Sequence, residues 1–261
     1  MLTSITLLRM HLDRHGLPMQ KDGDRNDQLQ RVGMIGVAEA LGEAHEYDGR
    51  APKLALQKDL QPRPGIFTRY KGGDPGNVSA DQLIPVLAYF ILTVRRQAWR
   101  MLATCLLRFG FAQNYKDGLD GSSRTKIPDF MLIRALPLFA RLTILFYPLA
   151  LVIDLLLVIN ALLQAGPVFR DDKLLPTRRS PDDVDDNNVI VTLIVCRARM
   201  PTPFSVLAAK IYSALRPPNH GCKPGTGVSN VCGALRWYHR PESGGNPDIA
   251  AMYERLVAKF L

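Results

Sequence analysis

The chain has 261 residues, of which 47% are hydrophobic and 22% are charged. This balance is typical of a globular protein, and disorder is not expected over most of the length. The formal net charge of +9 favours an anionic partner such as nucleic acid, a lipid surface or an acidic glycan, although many soluble proteins are equally basic. No run of Lys or Arg exceeds two residues, so no basic tail is indicated.

No secretory signal is expected, because the N-terminus has a short apolar patch without a charged region or a cleavage site. We expect a cytoplasmic protein or one assembled into a larger particle. Cys105 and Cys196 lie in apolar helical runs and are predicted to be buried thiols, whereas Cys222 and Cys232 flank a glycine-rich loop and could pair. These spacings do not fit a zinc site, and no motif predicts a metal or a cofactor.

In the first half of the chain, residues 1–20 predict a short helix or strand followed by a turn at His15–Pro18. Apolar residues three and four apart then predict a helix over 27–43. A long loop is expected near 44–78, where proline, glycine and charged residues dominate. Ser79 and Gln82 form a capping-box pattern that opens a helix reaching about Arg108.

In the second half, loops are expected near 110–128, 166–187 and 216–247. Pro137 and Pro148 are predicted to break the apolar run between the first two of these loops into two or three helical pieces. A helix from about Asn188 breaks at 201–203 and resumes to Leu215, and an amphipathic helix closes the chain. These elements predict one all-α domain over residues 1–261.

An acidic-amide motif recurs along the chain, each time opening an apolar run. Asp-Gln-Leu-x-x-Val occurs at Asp27 and again at Asp81, an offset of 54 residues. Further copies open at Pro128-Asp129-Phe130-Met131 and at Asp185-Asp186-Asn187-Asn188-Val189. Repetition at this period is typical of stacked helical hairpins, and about four such units fit the length.

Two interpretations of the acidic motif remain open on the residues alone. Asp and Asn are preferred helix N-caps, because their side-chain oxygens accept hydrogen bonds from the first amides of a helix. Capping needs only one such residue, however, whereas the first copy carries Asp22, Asp24 and Asp27 together. This surplus of acidic residues indicates a functional site at one end of the helices.

In its four helix starts and its hairpin length, the chain resembles the α/α-toroid proteins that process glycans, which include glycoside hydrolases and polysaccharide lyases. The resemblance implies helical hairpins arranged in a ring, with sugar-binding carboxylates and aromatic residues at one mouth. About four hairpins fit here, which implies a partial or open toroid. The expected function is a glycan-active hydrolase or lyase, and the alternative is a non-catalytic helical protein of a structural or membrane-associated assembly.

For hydrolysis, the resemblance implies one carboxyl that acts as an acid and a second that acts as a base or nucleophile. Asp27 and Asp81 are the catalytic candidates, because they occupy equivalent positions of successive units. The candidate substrate-binding residues are Asp24, Arg25, Arg31, Gln82, Asp129, Asp186, Tyr70 and Tyr115. An acidic glycan or another anionic ligand is the expected partner, and no motif indicates nucleic acid.

A lyase would instead use a Tyr or His base, with Arg neutralising a uronate. His15 and Tyr70, beside Arg69, are available in loops near the predicted mouth. Trp99 could stack on a sugar ring, but core packing is the favoured prediction for this side chain.

The apolar run Leu142–Ala165 carries a competing signal, because about twenty apolar residues can span a bilayer. Asp154 near its centre weighs against a membrane span, as do Asn160 and Pro148. We therefore expect a buried core helix in which Asp154 is hydrogen-bonded. Membrane association through residues 142–165 is the alternative, and the oligomeric state is left open.

Overall fold

A computed structural model of the chain describes residues 6–7, 11–19, 23, 25, 27–43, 45–75, 78, 80–109, 135–165, 184–215 and 247–261. Most of these residues are helical, which confirms the predicted class. The helices are α1 (Gln28–Ala40), α2 (Pro52–Leu54), α3 (Ala80–Thr93), α4 (Arg95–Phe109), α5 (Leu136–Phe139), α6 (Tyr147–Ala165), α7 (Val184–Arg199), α8 (Pro203–Leu215) and α9 (Pro247–Phe260).

Two short ladders accompany the helices near the N-terminus. Their strands are β1 (Thr6–Leu7), β2 (His11–Leu12), β3 (Pro18–Met19) and β4 (His45–Glu46). Strand β1 pairs in parallel with β4, and β2 pairs antiparallel with β3. The turn between β2 and β3 includes Gly16 at a φ of 72°, a conformation that favours glycine. The strands are too short to leave an alternating pattern in the sequence.

The predicted loop near 44–78 is more structured than expected. It contains β4, α2 and a π-helical turn over Ala55–Asp59 that continues α2. The predicted loops near 110–128 and 216–247, with Cys222 and Cys232, lie outside the described residues, as does most of 166–187. In contrast, α7 begins at Val184, earlier than the predicted start near Asn188.

The single helix predicted from Ser79 to about Arg108 is wrong, because the chain forms two helices interrupted at Val94. The amide of Val94 donates to Phe90 O and closes α3, while Val94 O accepts from the amide of Gln97 and opens α4. Thr93 and Val94 are both β-branched, and their restricted side chains make a break favourable here.

The apolar run around Pro137 and Pro148 is divided into separate helical pieces, as predicted. Each proline lies in the first turn of its helix, Pro137 in α5 and Pro148 in α6. A proline is tolerated there because its missing N–H would have no intrahelical acceptor. A 3₁₀ turn, Ile144–Phe146, directly precedes α6.

Four of the long helices pack in a closed cycle of pairwise contacts: α1 on α3, α3 on α7, α7 on α9, and α9 on α1. They enclose one hydrophobic core that includes Ile35, Phe90, Ile194 and Tyr253, all with 0% exposure. Helices α6 and α8 pack on each other and join this cycle through α7. The predicted buried thiol of Cys196 is confirmed, and burial raises its pKa to about 12.

Helices α1 and α3 approach each other closely at two glycines. A methyl group on Gly33 would come within 2.9 Å of the Pro85 backbone, and one on Gly36 would come within 2.7 Å of the Tyr89 ring. Gly36 follows Gly33 in α1, and Tyr89 follows Pro85 in α3. The order of the contacts is therefore the same in both helices, so α1 and α3 run parallel. Their N-termini therefore lie at the same end.

A buried ion pair joins α6 to the segment that follows α5. The Nη1 atom of Arg141 donates to Asp154 Oδ1 at 2.6 Å and to Pro137 O at 3.0 Å. Its Nη2 atom donates to Asp154 Oδ2 at 2.5 Å, and the Thr202 hydroxyl donates to the same oxygen. The expectation that Asp154 is buried and hydrogen-bonded is confirmed.

The expectation that the whole run Leu142–Ala165 is buried is wrong. Leu142 and Leu157 are buried, but one face of α6 is exposed along its length. No described helix has the length and apolar character required to cross a membrane. The prediction fails because an apolar composition does not show how many sides of a helix are covered by neighbours.

We expect Gly33→Ala to reduce the free energy of unfolding by about 1–3 kcal/mol, because the added methyl meets backbone that cannot rotate away. In an unobstructed helix the same change would instead stabilise the fold by about 1 kcal/mol. Urea denaturation gives the sign, with Ala40→Gly at the exposed end of α1 as a measure of local helix propensity. A stabilised Gly33→Ala protein would contradict the close approach of α1 and α3.

We expect Asp154→Ala to cost about 3–5 kcal/mol of unfolding free energy, because it leaves the Arg141 charge buried without its counterion. The double variant Arg141→Met/Asp154→Leu should recover much of this loss, since it removes both charges. Chemical denaturation of both variants tests this, and a fully stable Asp154→Ala protein would contradict the ion pair.

Candidate functional site

Polar side chains converge where the β2–β3 turn meets the start of α1. They come from four separate parts of the chain: the turn, the first residue of α1, the segment around α2, and the loop that follows it. We call this group the His15–Lys71 cluster, and its members are Asp13, His15, Gln28, Arg50, Asp59 and Lys71.

Asp13 organises the turn. Its Oδ1 accepts from the amides of His15 and Leu17 at 2.8 and 3.0 Å, and its Oδ2 accepts from Gln28 Nε2 at 2.8 Å. Burial raises the pKa of Asp13, but the hydrogen bonds from Leu17, Gln28 and His15 outweigh this effect, so the pKa lies below its ordinary value. Asp13 is therefore an ionised acceptor that fixes the position of His15.

Gln28 connects this turn to the loop beyond α2. Its Oε1 accepts from the backbone amide of Lys71 at 3.2 Å, and the amide of Leu29 donates to Arg69 O at 2.9 Å. These two bonds hold the loop against the first turn of α1. The loop therefore presents the Lys71 side chain beside the β2–β3 turn.

Lys71 lies between a carboxylate and an imidazole. Its Nζ donates to Asp59 Oδ1 at 2.8 Å and is 3.3 Å from His15 Nδ1. Arg50 Nε donates to the other oxygen of Asp59 at 2.9 Å. Burial raises the pKa of Asp59, but the bonds from Lys71 and Arg50 lower it below the ordinary value. Asp59 is thus an ionised anchor for the ammonium group.

His15 has cations at both ring nitrogens. Its Nδ1 faces Lys71, and its Nε2 is 3.3 Å from Arg14 Nε. A neutral imidazole accepts at one nitrogen only, so either tautomer leaves one cation available to another acceptor. The two cations of the cluster, Arg50 and Lys71, balance its two carboxylates, and the exposed Arg14 beside His15 adds one positive charge that could attract an anionic ligand.

Tyr47 adds a phenol next to this turn. Its hydroxyl donates to Gly16 O at 3.5 Å. Burial raises the pKa of Tyr47 strongly, and the charges of Asp48 and Asp13 raise it further. The phenol therefore keeps its proton at neutral pH and is a weak proton donor.

The structure pairs some of the residues predicted from the sequence. Asp27 precedes α1, where its carboxylate lies 3.9 Å from Nη2 of the buried Arg31 and makes no side-chain capping bond to the first turn. The Arg25 guanidinium lies 5.2 Å from the centre of the Tyr70 ring, a cation–π contact. Gln82 is buried in α3.

The other predicted site residues cannot be placed in the same way. Asp81 and Asp186 lie in the first turns of α3 and α7, but their side chains are outside the described part of the chain. Asp24, Asp129 and Tyr115 lie outside the described residues altogether. The prediction that Trp99 packs in the core is wrong, because it is 41% exposed on α4.

Among the members of the cluster, only His15 was a candidate site residue in the sequence analysis. The Asp13-x-x-Gly16 spacing is a turn signal that could have drawn attention to Asp13. In contrast, no local pattern links Asp59 to Lys71, because a long loop brings these residues together. In the described ranges, no group of three or more His, Cys, Asp or Glu side chains is arranged to hold a metal ion.

No protein-family model matches the chain, and neither the curated proteins nor the solved structures include a match.

The lowered pKa values of Asp13 and Asp59 predict an acid-sensitive site. Their stabilising effect should be complete above the ordinary carboxyl pKa of 3.8 and lost as the pH falls through the lower folded value. Asp59→Asn should therefore destabilise the protein at about pH 7, and the difference from wild type should shrink below about pH 3. Urea titrations at the two pH values test this, with the exposed Asp48→Asn as control.

Proposed function

We propose that the chain is a glycan-active protein that cleaves an acidic, uronate-containing polysaccharide by elimination at the His15–Lys71 cluster. The observation that carries this proposal is the 3.3 Å separation between Lys71 Nζ and His15 Nδ1, with Asp59 anchoring the ammonium group. A candidate base and a cation thereby share one site near the N-terminal end of α1.

Elimination from a uronate needs both of these groups. The proton next to the carboxylate is weakly acidic, and its removal places further negative charge on that carboxylate. A cation stabilises this charge, and a base positioned at the carbon accepts the proton. In the proposal, Lys71 and Arg14 bind the carboxylate and His15 takes the proton.

The remaining electron flow requires no co-reactant. As His15 takes the proton, a carbon–carbon double bond forms and the bond to the glycosidic oxygen breaks. The departing oxygen takes a proton from solvent water, and the imidazolium of His15 later returns its proton to the solvent. The products are an unsaturated uronate and a new reducing end.

The lowered pKa values of Asp13 and Asp59 argue for elimination rather than hydrolysis at this cluster. Hydrolysis needs one carboxyl that stays protonated near neutral pH. Asp13 and Asp59 have lowered pKa values and are held by several donors, so neither meets this need. Hydrolysis would depend instead on Asp27 and Asp81, and Asp27 lies beside Arg31.

The resemblance to α/α-toroid proteins implies a site at the end of the helical layer where the helices begin. The parallel packing of α1 and α3 supports this part of the proposal. In the proposal, the parallel helices α1 and α3 belong to a partial toroid whose helix starts gather at one end. Arg25, which is exposed above Tyr70, would then bind a second uronate of the same polymer. An arginine suits this role because its guanidinium pairs with a carboxylate at two points.

We expect His15→Ala to reduce the rate of elimination by at least about 100-fold, because a positioned base contributes about that much. Lys71→Met should reduce both binding and rate, and it should weaken the dependence of binding on salt. The measurements are the ultraviolet absorbance of unsaturated product and the binding of polygalacturonate, alginate and hyaluronan. The matched controls are His11→Ala, in the same hairpin, and Lys58→Met, next to Asp59; both side chains are exposed.

Three results would contradict the proposal. The first is a wild-type protein that neither binds nor cleaves any of these polymers. The second is an equal loss of activity in the control variants. The third is the release of reducing ends without the unsaturated product, which would indicate hydrolysis and make Asp27→Asn the informative variant.

A further inference from the structure

We infer that the exposed side of α6 and the turn before it form a docking surface for an anionic lipid bilayer. We call this surface the α6 face, and its residues are Ile144, Leu145, Leu149, Val152, Leu155, Leu156, Ile159 and Leu162. The inference is independent of the proposed glycan chemistry, because none of these residues belongs to the His15–Lys71 cluster.

The apolar exposure is large and continuous. Leu145 is 81% exposed, and Ile144 and Val152 are 70% and 69% exposed. The members in α6 recur three and four residues apart, so they form one stripe along the helix. A contiguous apolar surface of this kind is unusual on a protein that remains in water, and it indicates an interaction site.

The opposite side of α6 is fixed to the protein. Ala150 and Ile153 pack in a small core with Met200, and Asp154 forms the buried ion pair with Arg141. Helix α6 therefore cannot turn its outer side inward without breaking these contacts. This arrangement suits a helix that lies in the plane of a membrane surface and inserts one face.

Aromatic side chains border the most exposed end of the face. The Trp99 ring, on α4, is 5.8 Å from the ring of Phe146 in an edge-on contact. Phe146 belongs to the same 3₁₀ turn as Leu145, so Trp99 lies at the edge of the apolar tip. Trp is favoured at such positions because its ring suits the boundary between lipid and water.

Exposed cations lie on the two helices that contact this part of the structure, α4 and α8. Arg95 and Arg96 are exposed and lie three and four residues before Trp99, on the same side of α4. On α8, Lys210 is exposed three residues beyond the exposed Leu207. Residues 95–109, 144–165 and 203–215 contain no Asp or Glu other than Asp154, which is buried and paired.

This charge pattern selects an anionic bilayer over a second copy of the chain. Each cation near an anionic leaflet adds favourable energy, and no exposed carboxylate on these three segments opposes it. A symmetric contact between two copies would bring two positively charged borders together. The lipid surface therefore fits both the apolar stripe and its border.

Vesicle flotation with the full-length protein tests the inference. Wild type should bind vesicles of phosphatidylcholine with phosphatidylglycerol more tightly than vesicles of phosphatidylcholine alone, and salt should weaken the difference. Leu145→Ser should reduce binding by at least about 10-fold. Arg95→Gln/Arg96→Gln should reduce it by about 30-fold on the anionic vesicles.

Matched control variants distinguish binding through the α6 face from nonspecific binding to vesicles. Leu54→Ser removes an exposed leucine outside the α6 face, and Lys53→Gln/Lys58→Gln removes two exposed cations outside it. Both controls should bind like wild type. In a Trp237→Phe background, which leaves Trp99 as the only tryptophan, emission should shift to shorter wavelength when anionic vesicles are added.

Wild type that fails to bind anionic vesicles would overturn the inference, as would an equal loss of binding in the control variants. Light scattering without lipid provides a further test. A dimer that Leu145→Ser abolishes would assign the α6 face to a second copy of the chain and overturn the lipid assignment.

Discussion

The close parallel packing of α1 and α3 is the constraint on which the rest of the described structure depends. Gly33 and Gly36 have no side chains, so the backbone of Pro85 and the ring of Tyr89 can approach α1 directly. Two neighbouring helices that run parallel need a long connection, because the chain must pass from the C-terminal end of the first helix back to the end at which the second helix begins. Residues 41–79 supply that connection, and they also supply Arg50, Asp59 and Lys71.

The candidate site follows from that connection. The later part of the connection between α1 and α3 lies against the N-terminal end of α1. There the amide of Leu29 donates to Arg69 O, and the side-chain oxygen of Gln28 accepts from the amide of Lys71. The aligned peptide dipoles of α1 give its N-terminal end a positive potential, which adds to the charge of the lysine. The same geometry that packs the two helices therefore also places cations and His15 around one point.

The sequence predicts part of this structure for identifiable reasons. The offset of 54 residues between Asp27 and Asp81 is close to the offsets of 52 and 53 residues at which Gly33 meets Pro85 and Gly36 meets Tyr89. The helix around Val189–Val195 was predictable from its place in the repeat despite its β-branched residues. Long-range pairs such as Asp59 with Lys71 leave no local pattern, so they could not be predicted.

The buried ion pair connects the interior to the proposed lipid-docking surface. Asp154 is the only acidic residue in α6, and an exposed carboxylate there would repel an anionic leaflet. Arg141 neutralises it inside the protein, so the outer side of α6 stays apolar and its border stays positive. A buried pair of this kind is weak evidence for added stability. Its clearer consequence is to fix which side of α6 faces outward.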